Sequence, residues 1–246
     1  MRCFIGIDDT DNLESRGTGF RARQLGAGLA NARLAVARGI TRHQLLVHPE
    51  IRYTSHNSSA CLDVDLSKGA SWEALVEFCR EYLLTQSAPG SDAGLCVAPA
   101  DTIADEVVHF GLAAKSAVIS RDRATALAQR AGLHLEGLTG DHGGVIGALA
   151  AVGLRRGGHD GRFIWASGVR ELSGAESVAV LLASTGIESV ETPSGKSLPA
   201  DAVIRVDPWP RPILRDHRAV LLARPTGEVN VGYGWEILSK DEIRRY

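Results

Sequence analysis

The first half of the chain combines short apolar runs with amphipathic segments, a pattern typical of α/β proteins. Cys3 to Ile7 is rich in β-forming residues and predicts a buried strand. From Phe20 to about Arg38, apolar positions recur at helical spacing, which predicts a helix that ends at Gly39. The same spacing predicts further helices over Trp72 to Leu84, Asp101 to about Ala114, Arg121 to Ala131 behind a Ser120 cap, and Val145 to Arg156.

Shorter runs in this half predict strands and one loop. Cys61 to Leu66 alternates between apolar and other residues, which predicts a half-buried strand. Ser87 to Gly94 consists mainly of Ser, Pro, Gly and Asp, so we expect an exposed loop. The remaining strand candidates are Gln44 to Val47, Ile51 to Thr54, Leu95 to Ala98, Ala117 to Ile119 and His134 to Leu138.

The rhythm changes after the polar, glycine-rich segment Gly157 to Gly161, which predicts a boundary between domains 1–157 and 158–246. Ser173 and Glu176 have the spacing of a capping box that opens a helix to Ala183. The second half therefore predicts a smaller α+β domain. Its strand candidates are Arg162 to Ala166, Ala202 to Val206, Ala219 to Ala223 and Val229 to Val231.

Composition narrows the class of protein. The 246 residues are 44% hydrophobic and 23% charged, with a net charge of −2, as in ordinary soluble globular proteins. These totals reveal no strongly basic face, although a local basic patch could be hidden within them. The four cysteines form no CxxC pair, so we expect reduced thiols in a cytoplasmic protein and no zinc. No apolar stretch approaches the ~20 residues of a membrane span, so no membrane partner is expected.

Candidate chemistry begins in the loop after the first strand. Asp8, Asp9 and Asp11 place three carboxylates within four residues, and these repel one another unless something compensates. Mg²⁺ prefers oxygen ligands and is often held by one or two carboxylates together with substrate phosphates. The three aspartates are therefore candidate ligands for Mg²⁺ and a nucleotide. The alternative is a solvated acidic turn whose side chains cap backbone amides.

A glycine-rich turn precedes the helix predicted from Val145. In Gly140 to Gly144, the glycines allow the backbone to approach a ligand, and amides at a helix N-terminus can hold phosphate. The alternative is an ordinary turn capped by Asp141. The candidate nucleotide-binding residues here are Asp141, His142, Gly143 and Gly144.

Two polar segments add further candidates. Thr18 lies between glycines near several arginines, where it could accept or orient a phosphoryl group, or bind the metal. The run from Tyr53 to Ser59, which includes Asn57, could recognise a ribose, a base or a small substrate. The alternatives are a flexible loop and a plain polar turn, respectively.

Several of these motifs occur together in one known family. IGIDDTDN, Thr18, Asn57, GDHGGVIGALAAVG and PRPIL, in that order, resemble the archaeal tRNA-isoleucine agmatidine synthetases. The resemblance implies a kinase-like domain followed by a ferredoxin-like domain. The resemblance also implies the family's reaction, in which the enzyme uses ATP and Mg²⁺ to phosphorylate a cytidine of the tRNA anticodon. Agmatine then displaces the phosphate. Asp8, Asp9 and Asp11, with Thr10 among them, would bind metal and triphosphate, and Thr18 would become phosphorylated.

The chain also departs from that family. The family continues into an oligonucleotide-binding barrel and a zinc ribbon, whereas this sequence ends at Tyr246 without cysteine pairs. The family's Cys-Thr-Thr is Gly-Thr-Gly around Thr18, its arginine is replaced by Gly143, and its Asn-Gly becomes Asn57-Ser58. We therefore expect an ATP- and Mg²⁺-dependent phosphotransferase or ligase-type enzyme acting on a small molecule or nucleotide. The alternatives are a non-catalytic RNA-binding or accessory module of tRNA modification, and an ATP-binding regulator.

Overall fold

A computed structural model describes residues 1–54, 56–227 and 232–246 of the chain. Its internal contacts divide it into two compact units, Met1–Gly157 and Gly158–Tyr246. Both units combine strands with helices, so the predicted mixed α/β class is confirmed. The strand predicted over Val229 to Val231 lies outside the described residues.

The first unit is built on an antiparallel sheet with the order β5-β4-β1-β3-β2. The central position of β1 follows from its composition, because Cys3 to Ile7 are all buried. The strands are β1 (Arg2–Asp8), β2 (Ala35–Gln44), β3 (Ser58–Leu66), β4 (Gly94–Pro99) and β5 (His134–Gly137).

Five helices accompany this sheet, and the last of them packs directly onto its centre. The helices are α1 (Thr18–Asn31), α2 (Trp72–Gln86), α3 (Asp105–Ala113), α4 (Arg121–Arg130) and α5 (Val145–Gly157). A β-carbon added at Gly6 would overlap the carbonyl of Ala148, and one added at Gly94 would overlap the backbone of Gly144. Only glycine permits so close an approach. These two glycines therefore bring the start of α5 beside the end of β1.

Two sequence predictions in this unit are wrong because tertiary structure overrides the local pattern. The helix expected to reach Arg38 ends at Asn31, since Arg33 adopts a left-handed conformation with φ 57° and Ala35 begins β2. The predicted stop, Gly39, lies inside β2 next to a register shift. The expected half-buried strand is buried on both faces through Val64, because α1 and α5 both contact β3.

Three predicted strands and one predicted exposed loop also change. Ile51 to Thr54 and Ala117 to Ile119 form no strand, and β2 already ends at Gln44. The segment Ser87 to Gly94 was expected to be exposed, yet Ser91, Asp92 and Ala93 are buried. The composition of this segment describes a turn correctly, but the turn packs into the protein.

The second unit contains a second set of paired strands, in the order β6-β10-β11-β12-β9-β7, with β8 parallel to β11. Asp216 and His217, both with positive φ, form the tight turn between β10 and β11. The strands are β6 (Arg162–Trp165), β7 (Ala175–Ser177), β8 (Ser189–Glu191), β9 (Val203–Arg205), β10 (Ile213–Arg215), β11 (Arg218–Pro225) and β12 (Trp235–Ile237).

The helices of this unit are short. They are α6 (Val178–Ser184) and α7 (Lys240–Ile243). The capping box predicted for Ser173 and Glu176 is wrong, because Glu176 lies within β7 and α6 begins at Val178. The hydroxyl of Ser177 caps α6 by accepting a hydrogen bond from the amide of Val180. Among the described residues of the whole chain, no helix has the length and apolarity needed to cross a bilayer.

Candidate functional site

A cavity of about 340 Å³ lies in the first unit, where the loop after β1, the β2–β3 loop and the start of α5 meet. A second cavity of about 440 Å³ adjoins it, and the two share Asp9, Asp11 and Asp92 in their walls. Of the residues predicted from the sequence, the first cavity is lined by Asp8, Asp9, Asp11, Thr18, Asn57, Asp141, Gly143 and Gly144.

Carboxyl groups are crowded together at one end of this cavity. Burial and the charge of Asp9 raise the pKa of Asp8 to about 8. Burial, together with Asp92 and Asp11, raises the pKa of Asp9 to about 6, while Arg52 acts in the opposite direction. Protonation therefore stabilises Asp8 and Asp9 in the folded protein. A cation bound in the cavity would likewise offset the repulsion between their charged forms.

Asp11 is engaged differently from its two neighbours. Its Oδ1 accepts hydrogen bonds from the Thr18 hydroxyl at 2.8 Å and the Thr18 amide at 3.2 Å. Its Oδ2 accepts one from the Thr54 hydroxyl at 2.9 Å. Asp11 therefore caps the start of α1 and ties it to the β2–β3 loop. Both of its oxygens already have protein donors.

Thr18 is fixed from two sides. While its hydroxyl donates to Asp11, the same oxygen accepts from the Thr10 hydroxyl at 3.1 Å and from the Thr10 amide at 3.3 Å. Thr10 is itself fully buried, so it supports Thr18 and does not line the cavity. The Thr18 oxygen is held at the cavity wall in one orientation.

The glycine turn lies directly beside the acidic loop, since a β-carbon added at Gly144 would lie 2.9 Å from the Asp8 carbonyl oxygen. Gly140 and His142 have positive φ values of 55° and 62°, which turn the chain into α5. A β-carbon at Gly147 would overlap the carboxylate of Asp8, so the bare face of the helix accommodates that side chain. The Gly144 amide donates to the Asp92 carbonyl at 2.9 Å, and His142 does not line the cavity.

Asn57 closes the β2–β3 loop. Its side-chain amide donates to the Leu46 carbonyl at 2.6 Å, and its own carbonyl accepts from the Leu45 amide at 2.9 Å. These bonds hold the loop as one wall of the cavity. Near this wall the lining becomes apolar, with Leu45, Ala114, Ala117, Val118, Ile119 and Ile146.

Three site residues were not singled out from the sequence. Asp92 is buried, and its Oδ1 accepts the Asp141 amide at 2.7 Å, so it anchors the glycine turn. Arg52 and Arg121 line the first cavity, and Arg121 donates to the Asp141 carbonyl. A signal for Asp92 exists, since it precedes Ala93, Gly94 and an apolar strand. No local sequence pattern identifies Arg52 or Arg121 as a site residue.

The donor set fits Mg²⁺ only in part. Among the described residues, no three or more His, Cys, Asp or Glu side chains are arranged to hold a metal ion by themselves. Mg²⁺ does not require such a cage, because one or two carboxylates and substrate phosphates suffice. Asp8 and Asp9 are suitable, since both line the cavity and neighbouring carboxylates disfavour the charged form of each, Asp9 acting on Asp8, and Asp92 and Asp11 on Asp9.

Comparison with known proteins supports the family resemblance at the level of fold. No protein-family model matches the chain, and no curated protein matches it in sequence. Among solved structures, a tRNA fluorescent labelling enzyme is similar, with 25% identity and a TM-score of 0.55 over 62% of this chain and 36% of that chain.

Two structures of the tRNAIle2 agmatidine synthetase TiaS are also similar, each over 62% of this chain. They are the apo enzyme, with 23% identity, a TM-score of 0.54 and 35% of its chain covered, and the complex with tRNAIle2 and ATP, with 24%, 0.55 and 36%. The resemblance predicted from the motifs is thus confirmed as similarity of structure. The present chain spans only about a third of the length of these enzymes.

Proposed function

We propose that the first unit is a kinase-like nucleotide-binding domain of an ATP- and Mg²⁺-dependent phosphotransferase or ligase-type enzyme. One observation carries this proposal. A single cavity brings together the mutually repelling carboxylates of Asp8 and Asp9, the fixed hydroxyl of Thr18 and the start of α5. The fold is similar to that of an enzyme whose structure was solved with ATP.

Asp8 and Asp9 would hold Mg²⁺ together with the nucleotide phosphates. Mg²⁺ bound there would neutralise charge on the transferred phosphoryl group. Asp11 would have a separate task, because both its oxygens already accept hydrogen bonds from Thr18 and Thr54. It would position Thr18 by holding its hydroxyl proton.

Thr18 would then act as the acceptor or as an orienting group for the phosphoryl group. As acceptor, its oxygen would form the new bond to phosphorus while the bond to the departing ADP oxygen breaks. The hydroxyl proton would pass to Asp11, which already accepts its hydrogen bond at 2.8 Å. As orienting group, Thr18 would only donate to a phosphate oxygen.

The apolar end of the first cavity would take the base of the nucleotide. Leu45, Ile119 and Ile146 are among the residues that line it, and they offer the apolar contacts that nucleobases require. Asn57 would hold the loop that carries part of this wall. The glycine turn at Gly143 would approach the phosphates closely, because it has no side chain there.

We further propose that the second unit is a ferredoxin-like domain, and one observation favours an RNA-binding role for it. Trp209 is 47% exposed, and the guanidinium groups of Arg170 and Arg211 lie 4.9 and 5.4 Å from its ring centroid. Exposed aromatic rings with arginines are typical contacts for unpaired bases and phosphates. The acceptor would then be an RNA and not only a small molecule or nucleotide.

The decisive experiment is calorimetric titration with ATP in the presence and absence of Mg²⁺, followed by intact-mass measurement. We expect Mg²⁺-dependent binding by the wild type and loss of at least tenfold in affinity in Asp9→Asn. Asp101→Asn, which removes an exposed carboxylate outside both cavities, is the matched control. Absence of binding by the wild type, or equal binding by Asp9→Asn, would refute the proposal. A phosphate mass shift lost in Thr18→Ala would identify Thr18 as the acceptor.

A further inference from the structure

Arg52 is the clearest site residue without a role in the function proposed above. It lies in the β2–β3 loop, and its side chain is 77% exposed. It nevertheless lines both cavities of the first unit. Arg52 is therefore exposed to solvent and borders both cavities, which together form one cleft.

The partners of Arg52 are two carboxylates from other loops that line the same cavity. Its Nη1 lies 3.4 Å from Asp141 Oδ2 and 3.8 Å from Asp92 Oδ2. Both distances exceed the 2.7–2.9 Å of a strong charge-assisted hydrogen bond. Exposed ion pairs of this kind contribute little to stability, so this one is easily exchanged for another partner.

The charge balance of the cleft supplies a reason for such an exchange. The first cavity is lined by five aspartates and Glu50, against Arg52 and Arg121 as its only arginine or lysine residues among those described. A triphosphate entering this cleft needs every available cation. Arg52 also opposes the rise in the pKa of Asp9, and a cation held by Asp8 and Asp9 would take over that part of its charge balance.

We infer that Arg52 is a phosphate-binding residue that exchanges Asp92 and Asp141 for a phosphoryl oxygen of the bound nucleotide. The planar guanidinium matches a phosphate with two parallel hydrogen bonds, which the present long contacts do not provide. Asp92 and Asp141 hold the side chain across the cleft until the ligand arrives. This inference rests on the proposed nucleotide site.

The experiment measures the dissociation constants of MgATP and adenosine for the full chain. Arg52→Gln should weaken MgATP binding about tenfold and leave adenosine binding unchanged. Arg52→Lys should recover part of the loss, because it keeps the charge but not the planar fork. Arg38→Gln, which removes an arginine paired with Asp65 away from both cavities, should have no effect.

A double-mutant cycle distinguishes an Arg52 that exchanges its carboxylate partners for phosphate from an Arg52 that forms a permanent salt bridge. Asp141→Asn removes one competitor for Arg52 and should tighten MgATP binding about threefold in the wild-type background, but less in the Arg52→Gln background. Glu50→Gln removes one charge from the same cavity and should show no such dependence on Arg52. If Asp141→Asn weakens binding only when Arg52 is present, Arg52 is a structural bridge and the inference is wrong.

Two results would overturn different conclusions. If the wild type fails to bind MgATP, the proposed function fails and this inference with it. If the wild type binds MgATP and Arg52→Gln binds it equally well, only the role of Arg52 is refuted. Thermal unfolding of each variant checks that the fold is retained.

Discussion

Asp8 in the first unit and Glu191 in the second each end a β-strand, yet their surroundings are opposite. Glu191 accepts hydrogen bonds from Ser189 at 2.9 Å and from Arg215 and Arg218 at 3.2 Å each. Asp8 is surrounded by the charges of Asp9 and Asp11. A carboxylate whose counter-charges come from the protein itself stabilises the fold. A carboxylate surrounded by like charges would be stabilised by a cation from solution.

The largest effect on stability is expected where the protein supplies its own counter-charge. Glu191→Gln should lower the free energy of unfolding by about 2 kcal/mol, because Arg215 and Arg218 lose their buried anion. Full loss of a buried pair costs more, but Arg215 is 22% and Arg218 43% exposed, so water replaces part of the interaction. The measurement is urea unfolding followed by tryptophan fluorescence in a Trp72→Phe background, which leaves Trp165, Trp209 and Trp235 of the second unit as reporters.

The control is Asp201→Asn, which alters an exposed carboxylate of the same unit and should change stability by less than about 0.5 kcal/mol. Equal stability of Glu191→Gln and the control would contradict the structural role of Glu191. It would also remove one side of the comparison with Asp8.

Asp8→Asn should act in the opposite direction and raise stability by roughly 1 kcal/mol near pH 8.5, because asparagine stays neutral where the buried carboxyl has to ionise. The pKa of Asp8 is about 8 in the folded protein, against 3.8 for an ordinary aspartate. The folded state therefore holds a proton that the unfolded state releases, so stability falls as the pH rises from about 4 to about 8. Asparagine cannot titrate, and the variant should lose this part of the slope.

The measurement is urea unfolding followed by circular dichroism at pH 5 and pH 8.5, without Mg²⁺. The stability difference between variant and wild type should be small at pH 5 and larger at pH 8.5. A constant difference at both values would show that the gain does not come from the Asp8 charge. Loss of MgATP binding in the same variant would separate the stabilising effect from the functional cost.

Much of the first unit follows from its sequence, because its strands and helices agree locally with the tertiary structure. The run Cys3 to Ile7 is apolar enough to identify the central strand, and Ser120 does cap α4 as expected. The failures occur where packing decides. Val36 continues a helical pattern but is 60% exposed in β2, since the turn at Arg33 ends the helix first.

The residues of the candidate site also fall into two groups, those that the sequence predicts and those that only tertiary contacts reveal. The crowding of Asp8 and Asp9 and the glycines before α5 are local features, so the sequence reveals them. The roles of Asp92 and Arg52 depend on contacts with residues roughly 50 to 90 positions away along the chain, which no local pattern encodes. The separate engagement of Asp11 depends equally on Thr54, a long-range partner.

The smallest effect should come from removing one of the two arginines beside Glu191. Arg218→Gln is expected to cost about 0.5 kcal/mol, because this side chain is 43% exposed and Glu191 keeps Arg215 and Ser189. Arg215→Gln should cost about twice as much, since that side chain is only 22% exposed. The same fluorescence-detected unfolding measures both. A loss for Arg218→Gln as large as that for Glu191→Gln would mean that one ion pair, and not several donors together, accounts for the stabilising role of Glu191.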